Sequence, residues 1–193
     1  MYGLQHFVDY LSVLSFLSQR GEAYFPNQSV NGLLNRLFFN GNNLHFADES
    51  FPPFNPVIYG STLISSLLII TTALFWRWRD ISNVDAPELA IMMLSMTIAS
   101  PIAWEHHYAI LLPIFAITLP LALSKQVFGK WTNAFLVGIF FLSSQRLDFT
   151  NHFADTRLNI LQSYLFFAGM LMLFMLYRIS QTKRKIQLVK KDD

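Results

Sequence analysis

Glu105-His106-His107, set in Ser100-Pro101-Ile102-Ala103-Trp104-Glu105-His106-His107-Tyr108, is the densest group of titratable side chains in the chain. A carboxylate beside two imidazoles can bind a phosphate through His, shuttle a proton or hold a metal. The two histidines are adjacent, so they would point apart on a helix, and the spacing is not that of an HExxH zinc site. Trp104 and Tyr108 fit an aromatic belt at a membrane surface. The same nine residues also read as an ordinary polar turn between two apolar helices. A second group is Asn27-Gln28-Ser29-Val30-Asn31-Gly32-Leu33-Leu34-Asn35-Arg36-Leu37. Val30, Leu33, Leu34 and Leu37 fall on one helical stripe, and Asn27, Asn31 and Asn35 on another. This spacing predicts a short amphipathic helix that starts after Pro26 among capping residues. Free N–H groups at a helix start suit phosphate, and amides suit sugar hydroxyls. A well-capped interfacial helix is the plainer reading. Phe51-Pro52-Pro53-Phe54-Asn55-Pro56 reads as a rigid lead into a helix. Arg146 and Arg157, with Asp148, Asn151, His152 and Asp155, form a polar loop; Arg can pair with phosphate, and a solvated loop explains them as well.

The elements that must position these groups are written in the composition. Of 193 residues, 53% are hydrophobic and only 13% charged, and Phe alone numbers 19. Soluble domains carry roughly 25% charge. Lipid is therefore the expected surroundings of much of the surface. The net charge of +2 gives no reason to expect nucleic acid, and with no Cys there is neither disulfide nor thiolate metal site. No secretory signal peptide is visible in the first residues. Apolar runs at about 57–76, 88–104, 108–124, 131–144 and 160–177 predict an all-α integral membrane protein of about five transmembrane helices, the fourth being short for a span. Three regions follow: 1–56 as an outward loop with short amphipathic helices, 57–179 as the bundle, and 180–193 as a basic tail.

If all five runs cross, Arg77, Arg79, Lys125, Lys130, Arg178, Lys183, Arg184, Lys185, Lys190 and Lys191 share one side, which should be cytoplasmic. Arg20, Arg36, Arg146 and Arg157 lie on the other, with His6, His45, His106, His107 and His152. The acids Asp9, Glu22, Asp48, Glu49, Glu105, Asp148 and Asp155 lie there too. Any chemistry should therefore face away from the cytoplasm of a multi-pass plasma-membrane protein.

The motifs at 27–37 and 100–108, the latter followed by Leu111-Leu112-Pro113, resemble two signatures of glycosyltransferase family 87 membrane proteins. That family includes polyprenyl-phosphate-mannose-dependent mannosyltransferases. The order and separation of the motifs fit, as does the Phe-Pro-Pro-x-Asn-Pro stretch between them. The resemblance implies the C-terminal part of a GT-C-type multi-span fold. It also implies inverting transfer of a hexose, commonly mannose, from a polyprenyl phosphosugar donor to a glycolipid or glycan acceptor, with a carboxylate as base. No metal or other cofactor is implied. Family members are about twice as long, and their candidate catalytic Asp lies in an early outward loop that nothing here matches. The chain is thus expected to be a C-terminal portion that lacks the base, from a truncated gene, a split gene or a misplaced start; in the split-gene case its partner is a separately encoded N-terminal half. Asp9, Asp48, Glu49 and Glu105 are carboxylates on the right side, Glu105 being the weak candidate for the base. On this resemblance His106 or His107 contacts the donor phosphate or sugar, and Glu105 orients an imidazole. Asn27, Gln28, Ser29 and Arg36 shape the pocket, while Trp104 and Tyr108 stack on sugar or line a lipid entrance.

Three other readings compete. A transport or flippase-like subunit would need charge at mid-membrane depth, which the spans lack. An inert remnant or structural partner would need no site. A metal sensor would use Glu105, His106 and His107.

Overall fold

The computed structural model describes residues 3–46, 51–76, 85–123 and 130–192, with side chains omitted at 4, 122–123, 130–131 and 184–192. Arg77, Arg79, Lys125, Asp48 and Glu49 lie outside the described residues. Every regular element described is helical: α1 (Leu4–Arg20), α2 (Val30–Leu37), α3 (Pro56–Phe75), α4 (Ala86–Ala99), α5 (Leu111–Leu123), α6 (Lys130–Ser144) and α7 (Tyr164–Asp192). Short 3₁₀ turns at Glu105–Ile110, Asp148–Phe153 and Arg157–Ser163 join them.

Local chemistry sets the ends of these helices. Ser29 Oγ accepts the Gly32 N–H at 3.1 Å and opens α2. Asn55 Oδ1 accepts from the N–H groups of Val57 and Ile58, and Pro56 takes the first position of α3, where no N–H is needed. Asp85 and Glu88 form a reciprocal capping box at the start of α4. At its other end Ser100 is extended, as a residue before proline prefers, so α4 stops at Ala99. The expected run to 104 is shortened accordingly: residues beyond Ala99 leave the helix and cross to the second motif.

The core lies mainly between α4 and α7. Ile91, Leu94 and Ile98 recur on one face of α4, and Ala168, Met172, Leu176 and Ile179 on one face of α7; none is more than 1% exposed. Gly169 belongs to the same face of α7. A Cβ there would come within 2.7 Å of Tyr108 Cε1, so the missing side chain is the seat of the Tyr108 ring.

The five apolar runs are all helical, but they are not equal as spans. Among the described residues, only α3 and the stretch Arg157–Lys183 are long and apolar enough to cross a membrane. α4, α5 and α6 have 14, 13 and 15 residues. At 1.5 Å per residue each reaches only about 20 Å, against about 30 Å of hydrocarbon. Five membrane crossings are therefore an expectation that helix length alone does not support.

The bundle has two distinct ends. At one, Trp76 at the end of α3 donates its indole N–H to Ser180 Oγ on α7 at 3.2 Å and packs on Tyr177. Lys183 on α7 pairs with Asp85 at the start of α4 at 3.2 Å. At the opposite end lie residues 21–46, 100–108 and 145–164, which carry both motifs.

Candidate functional site

The two motifs, about seventy residues apart, are parts of one junction. Asn27 and Trp104 form an isolated antiparallel bridge. Gln28 N–H donates to Ala103 O at 2.7 Å, and Ala103 N–H donates to Asn27 Oδ1 at 2.9 Å. Asn27 Nδ2 donates to Glu22 O and Pro101 O, and Ser29 Oγ donates to Pro101 O. The extended stretch after α4 thus gains from side-chain amides the backbone partners that a helix would otherwise have supplied.

Gln28 ties this corner to α7. Its Nε2 donates to Phe25 O at 2.6 Å and to Gln162 O at 2.8 Å, while Oε1 accepts the Phe166 N–H at 3.1 Å. Phe166 lies in the first turn of α7, where N–H groups have no partner within the helix, so Gln28 caps it. Tyr108 OH donates to Gln28 O. Arg36 donates through Nη1 to Asn27 O at 2.9 Å and through Nη2 to Ser163 Oγ at 2.7 Å, with Ala23 O and Tyr24 O nearby. Burial lowers the Arg36 pKa to about 9, opposed by Tyr108 and Glu22, so the guanidinium stays charged at neutral pH.

These bonds revise the roles expected of the second motif. Asn27, Gln28 and Ser29 are 0% exposed and Arg36 1%. Apart from Arg36 Nε, which has no hydrogen-bond partner among the described residues, their side-chain polar groups are engaged inside the chain, so they build the platform and have no open face for a ligand. α2 is amphipathic as expected, but its amide stripe faces inward: Asn31 and Asn35 are buried, while Leu37 is exposed. Asn31 Oδ1 accepts the Glu22 N–H and one N–H of Asn35, which compensates the burial. Gly21 and Gly32 are required by this packing. A Cβ on Gly21, whose φ is +63°, would meet Asn31 Oδ1 at 1.7 Å, and one on Gly32 would meet Asn27 O at 2.2 Å. Tyr108 is likewise buried, which corrects the expectation that it stacks on a sugar or lines an entrance.

The first motif supplies the accessible chemistry. His106 and His107 are exposed, with ring centroids 4.3 Å apart. Trp104 N–H donates to His107 Nδ1 at 2.9 Å. A backbone N–H can only donate, so Nδ1 carries the lone pair and the proton of the neutral ring sits on Nε2. His107 thereby presents a donor to its surroundings. The expected pairing of Glu105 with an imidazole is replaced by another: Glu105 Oε1 accepts from Tyr164 OH at 3.2 Å. Arg146, paired with Asp148 at 2.8 Å, also feels the Glu105 charge, so a cation stands on the same rim. Asp9 lies far out on α1 and is exposed. Among the described residues no group of three or more His, Cys, Asp or Glu could hold a metal ion, which leaves the metal-sensor reading without a ligand set.

One residue of this site had no signal in the sequence. Glu22 follows the α1 terminus with no motif around it, yet it is 5% exposed. Its Oε2 accepts the Trp104 indole N–H at 2.7 Å, and its Oε1 has no hydrogen-bond partner among the described residues. Burial raises its pKa above the usual carboxylate value, partly offset by the Trp104 hydrogen bond and the Arg36 charge. Only a contact across some eighty residues of chain reveals it.

The chain matches no protein-family model, no curated protein and no solved structure.

Proposed function

We propose that this chain is the glycan-transferring, C-terminal part of a membrane hexosyltransferase of the family 87 type, acting on a polyprenyl phosphosugar. The observation that carries the reading is the junction itself. The two motifs on which the resemblance rests are hydrogen-bonded into one unit, and that unit presents His106, His107 and Glu105 at one end of an apolar helical bundle. The imidazoles and Arg146 suit a phosphate. The 3₁₀ turn that bears the histidines runs directly into α5, and an apolar groove of about 410 Å³ between α5 and α6, lined by Phe115, Leu119, Leu136 and Phe140, suits an isoprenoid tail. Positioning and charge stabilisation of the leaving phosphate supply the catalysis.

A bilayer is part of this reading. α3 is as apolar as Arg157–Lys183, both with mean hydropathy 1.8, but only 17% of its apolar window is buried, against 61%. A core helix of a soluble protein would be covered, whereas lipid covers α3 without a protein partner. The shorter α4, α5 and α6 complete about five crossings by local thinning or by help from flanking turns. The motif-bearing end faces outward, and the end with Lys183 faces the cytoplasm.

The test is transfer of labelled hexose from a polyprenyl phosphohexose to membrane lipids. Membranes contain this chain alone or with the N-terminal half of a family 87 enzyme. Transfer in either arm is expected to vanish in the H106A/H107A double variant, with its amount in the membrane unchanged. Undiminished transfer by the double variant, or no transfer in either arm, would overturn the reading.

A further inference from the structure

α2 is built inside out. Its amides Asn31 and Asn35 are buried, while Leu33 and Leu34 are half-buried and Leu37 is exposed. Phe38 and Phe39, which close the helix, are 54% and 55% exposed. A helix on a water-covered surface turns the other way, with its apolar stripe to the core. Leu37, Phe38 and Phe39 form an apolar end that lies bare unless something covers it.

Specific bonds hold this end in place. Phe39 N–H donates to Arg36 O at 3.1 Å and Asn40 N–H to Asn35 O at 2.8 Å, the pair that closes a helix through a left-handed residue. That residue is Phe39, with φ +52°, where glycine would carry no strain. A bulky ring held exposed in a strained backbone is a sign of a role outside the chain. Asn40 Nδ2 donates to Pro53 O at 3.0 Å and fixes the turn beside the lead into α3.

The contacts with α3 give the depth. Asn31 Nδ2 donates to Thr62 Oγ1 at 3.4 Å. Thr62 lies about 9 Å along the α3 axis from Pro56, at 1.5 Å per residue. α2 therefore climbs from the level of Thr62 to that of Pro53, and its exposed end sits where α3 begins. Phe54 and Val57 are exposed at that level too.

We infer that the Leu37–Phe39 end of α2 is a lipid anchor, inserted at the acyl-chain boundary of the outer leaflet, and that it sets how deep the motif-bearing end sits. The inference rests on the reading of α3 as a span whose exposed face meets lipid. An interfacial helix enters lipid by about 5–10 Å, which matches the rise from Thr62 to the start of α3. Phospholipid is the occupant because the bilayer that covers α3 reaches this level without a further partner. Residues 37–44 and 51–58 carry no charged side chain, which suits acyl chains and offers nothing to steer a charged protein.

The chain has no Cys, so one introduced thiol carries one nitroxide label. Phe38→Cys and Phe39→Cys are reconstituted separately, as full chains in phosphatidylcholine nanodiscs. Ile64→Cys, at an exposed position of α3, and Asp155→Cys, in the polar loop, serve as references. Collision of the label with oxygen, which concentrates among acyl chains, is compared with collision with a water-soluble nickel chelate. At positions 38 and 39 the oxygen-to-nickel ratio is expected to exceed that at 155 several-fold and to approach that at 64. The two labels sit in separate chains, so a variant that fails to fold leaves the other to decide. A ratio as low as at 155 would put this end in water. Low collision with both reagents would put it against protein, a second copy or another chain. Either result overturns the anchor. The two ideas are separable: a high ratio at 64 with a low one at 38 and 39 sinks the anchor alone, whereas a low ratio at 64 sinks the bilayer reading and the anchor with it.

Discussion

Two polar regions lie side by side at the same end of this molecule, and they are treated in opposite ways. The junction of Asn27, Gln28, Ser29, Asn31, Asn35 and Arg36 is buried, and its amide groups and terminal guanidinium nitrogens are bonded within the chain. The rim of Glu22, Trp104, Glu105, His106 and His107 is only partly satisfied: an oxygen of Glu22 has no partner among the described residues, and both imidazoles face out. Saturated polar groups are architecture, since a ligand could reach them only by breaking bonds already made. Unsaturated ones are where a ligand gains free energy. Residue type does not separate the two regions, because amides, carboxylates and cations occur where either role is possible.

The contrast is sharpest at Arg36. Arg36→Met should destabilise the chain most, by about 3 kcal/mol or more, because Asn27 O and Ser163 Oγ lose a charged donor in a buried site. Chemical unfolding in micelles reads this, and a loss below about 1 kcal/mol would mean that the Arg36 bonds do not hold the junction together. Asn27→Ala should follow, at about 2–3 kcal/mol, since Ala103 N–H and two carbonyls lose their partner. The double substitution at His106 and His107 belongs to the other class: unfolding should stay within about 0.5 kcal/mol of wild type while transfer disappears.

Glu22 gives a pH signature. Burial raises its pKa in the folded chain above the usual carboxylate value, so the fold favours the protonated carboxyl. Its contribution to stability is complete below the unfolded pKa and is lost as pH rises through the raised folded value. Glu22→Gln cannot ionise, so its stability relative to wild type should grow over that window; a difference that is flat with pH would show that Glu22 is well solvated. The smallest effect is expected at the far end. Lys183→Ala removes a partly exposed ion pair with Asp85 and should cost less than about 1 kcal/mol, a loss that salt masks.

Much of this was legible in the chain itself. Helical periodicity and apolar runs gave the helical elements, and the proximity of Glu105, His106 and His107 marked the exposed rim, because these signals are local. Hydropathy also marked α3 and α7, but it could not tell that α7 is covered by protein and α3 is not, since both have the same apolar content. The amphipathic pattern of α2 likewise did not show that its amide stripe is buried. Burial of Leu is favoured by transfer alone, whereas burial of Asn31 and Asn35 depends on donors and acceptors supplied by Gly21–Glu22 and by α2's own neighbours in space.

Sequence by itself determined the helical class, the apolar character and the adjacent imidazole pair, all of which follow from residues a few positions apart. Only the tertiary structure decided that the Asn27–Arg36 segment is a buried strut bonded within the chain at all but Arg36 Nε, that Tyr108 is packed against Gly169, and that Glu22 holds the Trp104 indole with one oxygen while the other has no partner among the described residues. Hydrogen bonds are short-ranged and directional, so whether a polar side chain is spent or free depends on atoms that the fold brings from eighty or more residues away.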